Sequence, residues 1–176
     1  MSDASRFAYK RDVALQARLS AEVLSLLKVA GNTECADCAA TRTVRFCSVT
    51  LGVFLCNRCY AIHRSVGAHV TRTKCVGLDF WAPDEVERLR AVGNLRSNAL
   101  YEATVPEGLT KPTAVSTDKE AERWIRDKYE RRRYSHVGGV DQRGSAHAEG
   151  ALTSQLETPS APTEAEPAQE ELLIQF

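Results

Sequence analysis

The stretches Cys35-Ala-Asp-Cys38 and Cys56-Asn-Arg-Cys59 are two CxxC pairs separated by 17 residues. Two pairs at this distance can place four thiolates tetrahedrally around one Zn²⁺. Because four protein ligands leave no open coordination position, such a metal stabilises the fold and does not act as a Lewis acid. The sequence therefore predicts one structural Zn²⁺ site, and any chemistry is expected from residues that this site positions.

Arg64 is the first candidate for such a residue, because it lies five residues after Cys59 on a predicted helix. An exposed arginine is often only solvated or salt-bridged. Here, however, the surrounding segment combines a helix end at Gly67 with two histidines beside a rigid metal site. We therefore expect Arg64 to be functional. His63 and His69 are expected to form structural hydrogen bonds, because four cysteines already complete the zinc shell.

The size and composition of the chain indicate one soluble domain with a tail. Its 176 residues are 43% hydrophobic and 26% charged, which is ordinary for a globular protein. It has no apolar run of about 18 residues or more, and its first residues lack a signal sequence. A reducing intracellular compartment is expected, where six cysteines indicate metal binding and free thiols. Cys47 and Cys75, which the metal site does not use, are expected to be buried.

The net charge of zero conceals an asymmetry between two parts of the chain. Residues 1–134 carry 22 Lys and Arg against 16 Asp and Glu, whereas residues 135–176 carry one Arg against seven acids. A basic body of this kind favours acidic partners or anionic lipid surfaces. We expect an N-terminal arm at 1–9, a folded domain at 10–134 and a disordered acidic tail at 135–176, since the tail composition cannot bury enough apolar surface to fold.

Hydrophobic periodicity and turn residues predict an α+β domain with short strands. The predicted helices cover residues 10–30, 57–67, 83–92, 95–103 and 117–134, and the predicted strands cover 44–49, 51–55 and 70–76. Thr117-Asp-Lys-Glu120 is typical of a capping box, so the last helix is expected to begin there after a connector. One face of that helix is expected to pack on the domain; it comprises Ala121, Trp124, Ile125, Lys128 and Tyr129.

Several motifs in a fixed order resemble the domain of Arf GTPase-activating proteins (ArfGAPs), above all the stromal membrane-associated type. They are Cys35-x2-Cys38, Cys56-x2-Cys59-x4-Arg64, His63-Arg-Ser-Val-Gly-Ala-His69, Gly77-Leu-Asp-Phe-Trp81 and Gly93-Asn94-x3-Asn98. The resemblance spans residues 12–134 and implies a three-stranded sheet surrounded by helices, with a zinc finger near the surface that meets the GTPase. It also implies that Arg64 is an arginine finger supplied in trans. GTP and magnesium would belong to the partner, so the chain would activate an enzyme and not be one itself.

The same resemblance implies that Phe46, Asn57, Asp79 and Phe80 contact the partner GTPase. Phe46 is equally compatible with a place in the core of the sheet, and Asp79 is compatible with capping a helix that begins near Trp81. The sequence departs from the family pattern at three points. The family usually has 16 residues between the CxxC pairs, a tryptophan at the position of Phe46, and often an aliphatic residue at the position of Asn57. These departures concern catalytic strength more than the fold.

Two other functions remain compatible with the sequence. The 17-residue spacing also resembles the GATA-type DNA-binding zinc finger, although only one definite positive charge follows directly after Cys59, where DNA binding needs a basic extension. We therefore do not expect nucleic acid as a partner. The second alternative is an ArfGAP-like fold that acts only as an adaptor.

The end of the chain and the cellular setting complete the expectations. Leu173-Ile-Gln-Phe176 resembles most of a clathrin-box peptide, and the same ending suits a PDZ groove, but it is also compatible with a plain apolar terminus. By the resemblance, the chain would be a cytoplasmic monomer that associates peripherally with Golgi or endosomal membranes. It would bind a GTP-bound Arf-family GTPase there and regulate vesicle traffic.

Overall fold

The computed structural model describes residues 8–136, which form helices around one small sheet. In chain order they form a 3-10 turn (Ala8–Lys10), α1 (Val13–Leu26), β1 (Val44–Ser48), β2 (Val53–Cys56), α2 (Asn57–Val66), β3 (Thr73–Cys75), α3 (Pro83–Ala91), α4 (Gly93–Tyr101), α5 (Asp118–Ile125) and a π-turn (Arg126–Glu130). The predicted α+β class is confirmed. The predicted disordered tail and the motif at 173–176 lie outside the described residues, and the domain boundaries stay a prediction.

The three strands form an antiparallel sheet in the order β2-β1-β3. In the central strand, Cys47 pairs with Phe54 on one side and with Lys74 on the other. The turn between β1 and β2 ends at Gly52, whose φ of +70° favours glycine. A Cβ atom there would lie 2.7 Å from the Cβ of Val92, so the turn packs directly against the end of α3.

Both faces of the sheet are covered, which explains why all four residues of β2 are buried. Leu55 faces a core that contains the cysteines together with Ile62 of α2 and Trp124 of α5. Phe54 faces a second core that contains Val23 of α1, and also Trp81, Val86 and Leu89. Because successive side chains of a strand point to opposite faces, one short strand joins the two cores. Within residues 8–136, no helix has the length and apolarity that crossing a bilayer requires.

The predicted capping box of the last helix is confirmed. Thr117 Oγ1 accepts a hydrogen bond from the backbone N–H of Glu120, and the Glu120 carboxylate accepts one from the backbone N–H of Thr117. The helix is shorter than predicted, however, because α5 ends at Ile125 and passes into the π-turn.

The π-turn explains why the predicted helix does not continue to Tyr134. Three consecutive residues in it, Asp127, Lys128 and Tyr129, are all buried, whereas successive residues of a regular α-helix point about 100° apart. The wider π-turn adjusts the helical register locally. The backbone then turns back, with Arg132 at φ +50° and the Arg133 N–H donating to the carbonyl of Asp127.

Three other predicted boundaries were wrong. α1 begins only after Asp12, whose carboxylate accepts the N–H of Leu15, and it ends at Leu26. α3 ends as predicted, with Val92 as its C-cap and Gly93 at φ +66° directly after it. The next helix, α4, begins already at Gly93 and not at Leu95, and its Asn94 N–H is capped by the side chain of Asn32. β3 is shorter than expected because the residues before it close a turn onto the carbonyl of Gly67.

Candidate metal centre and arginine site

The four cysteines of the two CxxC pairs lie together at the base of α2. Their sulfur atoms are all within 4.8 Å of one another, and the Sγ atoms of Cys38 and Cys56 are 3.6 Å apart. All four residues are buried. Zinc–sulfur bonds of about 2.3 Å place the sulfurs of a tetrahedral site about 3.8 Å apart. We call this group, Cys35, Cys38, Cys56 and Cys59, the cysteine cluster; its spacing fits one Zn²⁺.

The backbone around the cysteine cluster is arranged as in a metal-binding turn. Cys35 donates its N–H to the carbonyl of Ala40 and accepts the N–H of Ala39. In the second pair, the N–H of Cys59 points to the Sγ of Cys56 at 3.5 Å, at the point where α2 begins. An N–H directed at a sulfur favours the thiolate form, which is the form that binds metal.

The thiols of the cysteine cluster also perturb one another. Hydrogen bonding, first of all with Cys35, lowers the pKa of Cys38 and raises the pKa of Cys59. Four thiols at this distance cannot all ionise without a cation, because like charges in a buried site repel strongly. Thiolate donors suit a soft or borderline divalent ion, which fits the predicted zinc.

A second group of charged and polar residues lies next to the cysteine cluster, centred on a buried lysine. Lys128 is fully buried in the π-turn, and four oxygens lie within hydrogen-bonding distance of the three N–H groups of its ammonium: Ala36 O at 3.1 Å, Asp37 Oδ1 at 3.2 Å, Asn98 Oδ1 at 2.8 Å and Glu102 Oε1 at 2.7 Å from Nζ. We call the group Asp37, His63, Asn98, Glu102 and Lys128 the ionic cluster. It ties the π-turn to α4 and to the first CxxC pair, inside which Asp37 lies.

Asp37 connects the ionic cluster to α2 through His63. The Nε2 of His63 is 2.9 Å from Asp37 Oδ2, and its Nδ1 is 2.9 Å from Thr71 Oγ1, which in turn bonds Ser48 Oγ at 2.8 Å. Burial alone would raise the pKa of Asp37, but the charge of Lys128 and the hydrogen bond from His63 hold it well below its usual range. The carboxylate is therefore ionised and paired inside the protein.

The predicted structural role of His63 is confirmed by these bonds. His69 differs, because it is exposed and forms no hydrogen bond within the described residues. Of the two remaining cysteines, Cys47 is buried in β1, and burial raises the pKa of its thiol. Cys75 is only half-buried, so the expectation of burial was wrong for it.

Arg64 lies in the last turn of α2 and its side chain is exposed. Within residues 8–136 it forms no ion pair. Its guanidinium carbon is 5.9 Å from the ring centroid of Tyr60, a weak cation–π distance. Tyr60 in turn stacks on Phe46, with ring centroids 4.1 Å apart. The row of two rings orients the arginine while it leaves the charged group accessible.

The other residues expected at a partner surface lie in different environments. Phe46 is half-buried and packs against the core, which fits the core alternative. Its contact with a partner stays a prediction. Asn57 is exposed at the first position of α2, and Phe80 is 54% exposed. Asp79 does not cap a helix near Trp81; its carboxylate accepts the backbone N–H of Cys75 instead.

The acidic members of the ionic cluster, Asp37 and Glu102, were not predicted from the sequence. Lys128 was placed on the packing face of its helix, yet its partner Asp37 lies 91 positions earlier. A lysine on an apolar helix face does carry a signal, because a buried ammonium group needs an acidic partner. Nothing in the local sequence identifies which acid that is.

Taken together, the fold and the site define the class: an α+β domain with a zinc-finger-type cysteine cluster that supports a helix carrying an exposed arginine. Residues 20–138 match the family model described as "Putative GTPase activating protein for Arf". The chain therefore belongs to the ArfGap family. This match favours the ArfGAP interpretation of the cysteine spacing over the GATA-type zinc finger.

Known relatives agree with this assignment. Stromal membrane-associated protein 1 of Homo sapiens is 36% identical over 135 residues, which are 77% of this chain and 28% of the relative. The Mus musculus protein of the same name is 43% identical over 109 residues, 62% of this chain and 24% of the relative. ADP-ribosylation factor GTPase-activating protein effector protein 2 of Saccharomyces cerevisiae is 39% identical over 111 residues, 62% of this chain and 37% of the relative. The chain thus spans between about a quarter and two fifths of these relatives.

Solved structures support the fold. The ArfGap domain of HIV-1 Rev binding protein superposes with a TM-score of 0.59 at 18% sequence identity, covering 68% of this chain and 89% of that one. The solution structure of the ArfGap domain of human RIP gives a TM-score of 0.58 at 19% identity, covering 66% and 85%. At this level of identity the likeness concerns the architecture of sheet and helices alone.

Proposed function

We propose that this chain stimulates GTP hydrolysis by an Arf-family GTPase. Family membership supports the proposal, as do relatives whose names describe GTPase-activating proteins for ADP-ribosylation factor. The observation that carries it is Arg64: the guanidinium is exposed and has no acidic partner within the described residues, while the helix beneath it is fixed at both ends. A surface arginine held in this way is available to a second protein.

In the proposed mechanism, Arg64 enters the nucleotide site of the GTPase in trans. Hydrolysis spreads negative charge over the oxygens of the transferred phosphoryl group, and a planar guanidinium can bond two of them at once. In other GTPase systems such a finger accelerates the reaction by roughly 10³–10⁵, which corresponds to about 4–7 kcal/mol of barrier. GTP, magnesium and the attacking water belong to the partner.

The cysteine cluster would bind one structural Zn²⁺ through Cys35, Cys38, Cys56 and Cys59. With four thiolates the ion joins the loop of the first pair to the start of α2 and supplies no reactive position. Residues of the chain itself then fix the two ends of α2. Cys59 fixes the first turn of α2, and His63 fixes the last turn through its bond to Asp37.

The surface that meets the GTPase is proposed to include Phe46, Asn57, Asp79 and Phe80. Phe46 stands where the family has tryptophan, and it stacks on Tyr60 under the guanidinium of Arg64. This packing supports an indirect role for Phe46, in which it orients the arginine through Tyr60. Asn57 and Phe80 are exposed enough for direct contact.

We further propose that the chain acts as a cytoplasmic monomer, recruited peripherally to Golgi or endosomal membranes by the GTPase, where it regulates vesicle traffic. The ending Leu173-Ile-Gln-Phe176 would add a clathrin or PDZ contact. Deletion of residues 172–176 checks this last part in a pull-down with the clathrin terminal domain and with PDZ domains. Unchanged binding after the deletion would exclude it.

Single-turnover GTP hydrolysis by several Arf proteins tests the main proposal. Wild type is expected to stimulate hydrolysis, and Arg64→Ala and Arg64→Lys are expected to lose roughly 10³-fold or more, because lysine cannot form the planar fork. Arg18→Lys is the matched control, since Arg18 is exposed on α1 and forms no ion pair in the described residues.

Three results would contradict the proposal in different ways. Full stimulation by Arg64→Ala would exclude the arginine finger but keep the activity. GTP-dependent binding without stimulation by wild type would favour the adaptor. Absence of both binding and stimulation with every Arf protein would exclude an Arf-family partner.

A further inference from the structure

A cleft lies between the connector before α5, which comprises residues 104–117, and the segment from α5 to Tyr134. Its volume is about 640 Å³, within the range of roughly 300–1,000 Å³ that is typical of ligand sites. Its apolar and aromatic lining residues are Pro106, Leu109, Pro112, Trp124 and Tyr134. Among the described residues, the lining includes none of those proposed to meet the GTPase, so the cleft is a separate feature of the domain.

The connector is held in place by side-chain hydrogen bonds to two other parts of the fold. Lys111 Nζ donates to Glu102 Oε1 at 2.8 Å, just after α4. Arg58 lies between the cysteines of the second CxxC pair, and its guanidinium donates to the carbonyls of Thr113 at 2.7 Å and Ser116 at 2.5 Å. This wall of the cleft is therefore tied to both clusters, and the cleft is formed without a ligand.

Two residues of the connector wall have backbone groups without a partner in the domain. The N–H and carbonyl groups of Thr110 and Lys111 form no hydrogen bond within residues 8–136, and both residues line the cleft. Lys111 precedes Pro112, and the residue before a proline favours an extended backbone. Unpaired N–H and C=O groups of an extended segment are the groups to which a second extended chain binds by strand addition.

The two acidic residues of the lining are already engaged. The Glu120 carboxylate accepts the backbone N–H and the hydroxyl of Thr117, both at 2.8 Å. The Asp127 carboxylate is buried, and Arg131 donates to it at 2.7 Å. Neither acid therefore pairs closely with the remaining arginines of the cleft.

Those two arginines, Arg123 and Arg133, retain donors for a ligand. Arg123 is exposed on α5, and its side chain forms no ion pair or hydrogen bond within the described part of the chain. Arg133 is 58% exposed, and its contacts with Asp127 are long, at 3.4 and 3.5 Å. The planar fork of a guanidinium matches a carboxylate. The cleft thus combines an apolar lining, unpaired backbone and two available cations.

We propose that this cleft binds an extended peptide of a partner protein in which an apolar side chain is flanked by acidic residues. The apolar side chain packs into the apolar lining, and the peptide backbone bonds Thr110 and Lys111. The acidic side chains pair with Arg123 and Arg133. The proposal does not depend on the proposed function, because the cleft would bind such a peptide whether or not the chain stimulates a GTPase.

Selection of random octapeptides displayed on phage against the zinc-loaded, full-length chain tests the proposal. We expect the enriched peptides to carry Leu, Ile, Phe or Trp next to Asp or Glu. One enriched peptide is then synthesised, together with a neutral copy in which Asn and Gln replace every Asp and Glu. The neutral copy should bind at least about 10-fold more weakly in fluorescence polarisation, and binding of the acidic peptide should weaken as the salt concentration rises.

Substitutions locate the bound peptide. Arg123→Glu and Leu109→Ser should each lower the affinity for the acidic peptide at least about 10-fold, because one reverses an available charge and the other removes apolar contact. Arg18→Glu, on the exposed face of α1, is the matched control and should bind within twofold of wild type. Thermal unfolding shows whether each variant keeps its fold. Arg123→Gln removes the charge alone and serves as the test if Arg123→Glu is unstable.

Amide signals of the ¹⁵N-labelled, zinc-loaded chain give a direct readout, since saturable shifts are expected at Thr110 and Lys111 when the acidic peptide is added. Three results would overturn the proposal: no enrichment of acidic–apolar peptides, equal affinity of wild type and the folded Arg123 variants, or saturable shifts that leave residues 109–112 unchanged. Binding of vesicles that contain phosphatidylinositol phosphate, if it requires Arg123 and no acidic peptide is enriched, would assign the cleft to a lipid headgroup instead.

Discussion

The cysteine cluster and the ionic cluster both fix α2, but their charges are balanced in different ways. The cysteine cluster fixes the first turn of α2 and concentrates groups that need a cation from solution. The ionic cluster fixes the last turn and contains its own opposite charges, with Lys128 placed between Asp37 and Glu102. The first turn of the helix that carries Arg64 therefore depends directly on metal. The last turn depends on the packing of the π-turn and α4 around Asp37, which itself lies inside the first CxxC pair.

The two clusters are therefore expected to contribute differently to the free energy of folding. Binding of structural Zn²⁺ contributes on the order of 10 kcal/mol or more in small fingers. A buried ion pair contributes little net stability relative to apolar residues of the same size, but loss of one partner costs about 3–5 kcal/mol because the other charge remains buried. We therefore expect the first cluster to decide whether the domain folds, and the second to decide how firmly it stays folded.

Metal removal should have the largest effect. Stripping the ion with a strong chelator at neutral pH, or the substitution Cys59→Ser, is expected to abolish cooperative unfolding, since Cys59 is fully buried in the first turn of α2. Circular dichroism during thermal unfolding measures this, and elemental analysis should give one zinc per chain. A cooperative transition with unchanged midpoint in the metal-free chain would show that the cysteine cluster is not essential to folding.

Loss of the buried ammonium group should come next. Lys128→Met is expected to lower the free energy of unfolding by about 3–5 kcal/mol, because it leaves Asp37 ionised and without its main cationic partner. Urea denaturation of the zinc-loaded chain measures the change. Lys119→Met, on the exposed side of α5, is the control and should change it by less than about 0.5 kcal/mol. A loss below about 1 kcal/mol for Lys128→Met would mean that the ionic cluster is not a unit.

A double-mutant cycle measures the coupling energy between Lys128 and Asp37, which should be smaller than the loss caused by Lys128→Met. Asp37→Asn removes the charge that Lys128→Met leaves unpaired. The double variant should therefore lose less free energy of unfolding than the two single variants together, by about 0.5–3 kcal/mol. The same urea experiments on all four chains complete the cycle. Additive losses would show that the contact at 3.2 Å between Lys128 and Asp37 carries no coupling energy.

The smallest change in the free energy of unfolding is expected at the start of α5, the helix that leads into the π-turn containing Lys128. Thr117→Ala removes the hydroxyl that accepts the N–H of Glu120, which should cost about 1 kcal/mol. Thr117→Ser keeps the acceptor and should stay close to wild type. If both variants are equally destabilised in urea, the methyl group and not the cap is responsible.

Features that depend on local motifs could be predicted from the sequence, whereas contacts between residues far apart in the chain could not. The cysteine cluster, the extent of α2 and the capping box at Thr117 were predictable, because each follows from short local motifs; the cysteine cluster combines two CxxC motifs whose spacing is itself typical of a zinc site. The bonds of Lys128 to Asp37 and of Asn94 to Asn32 were not, since they join residues 91 and 62 positions apart. The π-turn also has no local signal, because it arises where burial of consecutive residues overrides the regular helical register.

The fold of the chain after the π-turn limits how far the domain can be shortened. Tyr134 stacks on Trp124 with ring centroids 5.1 Å apart, and its carbonyl accepts the N–H of Thr104 at 2.8 Å. A recombinant fragment that stops at Glu130 would keep every helix. It would, however, expose the indole of Trp124 and remove the hydrogen bond that holds Thr104, at the start of the connector before α5. A fragment for expression or crystallisation should therefore extend at least through Tyr134.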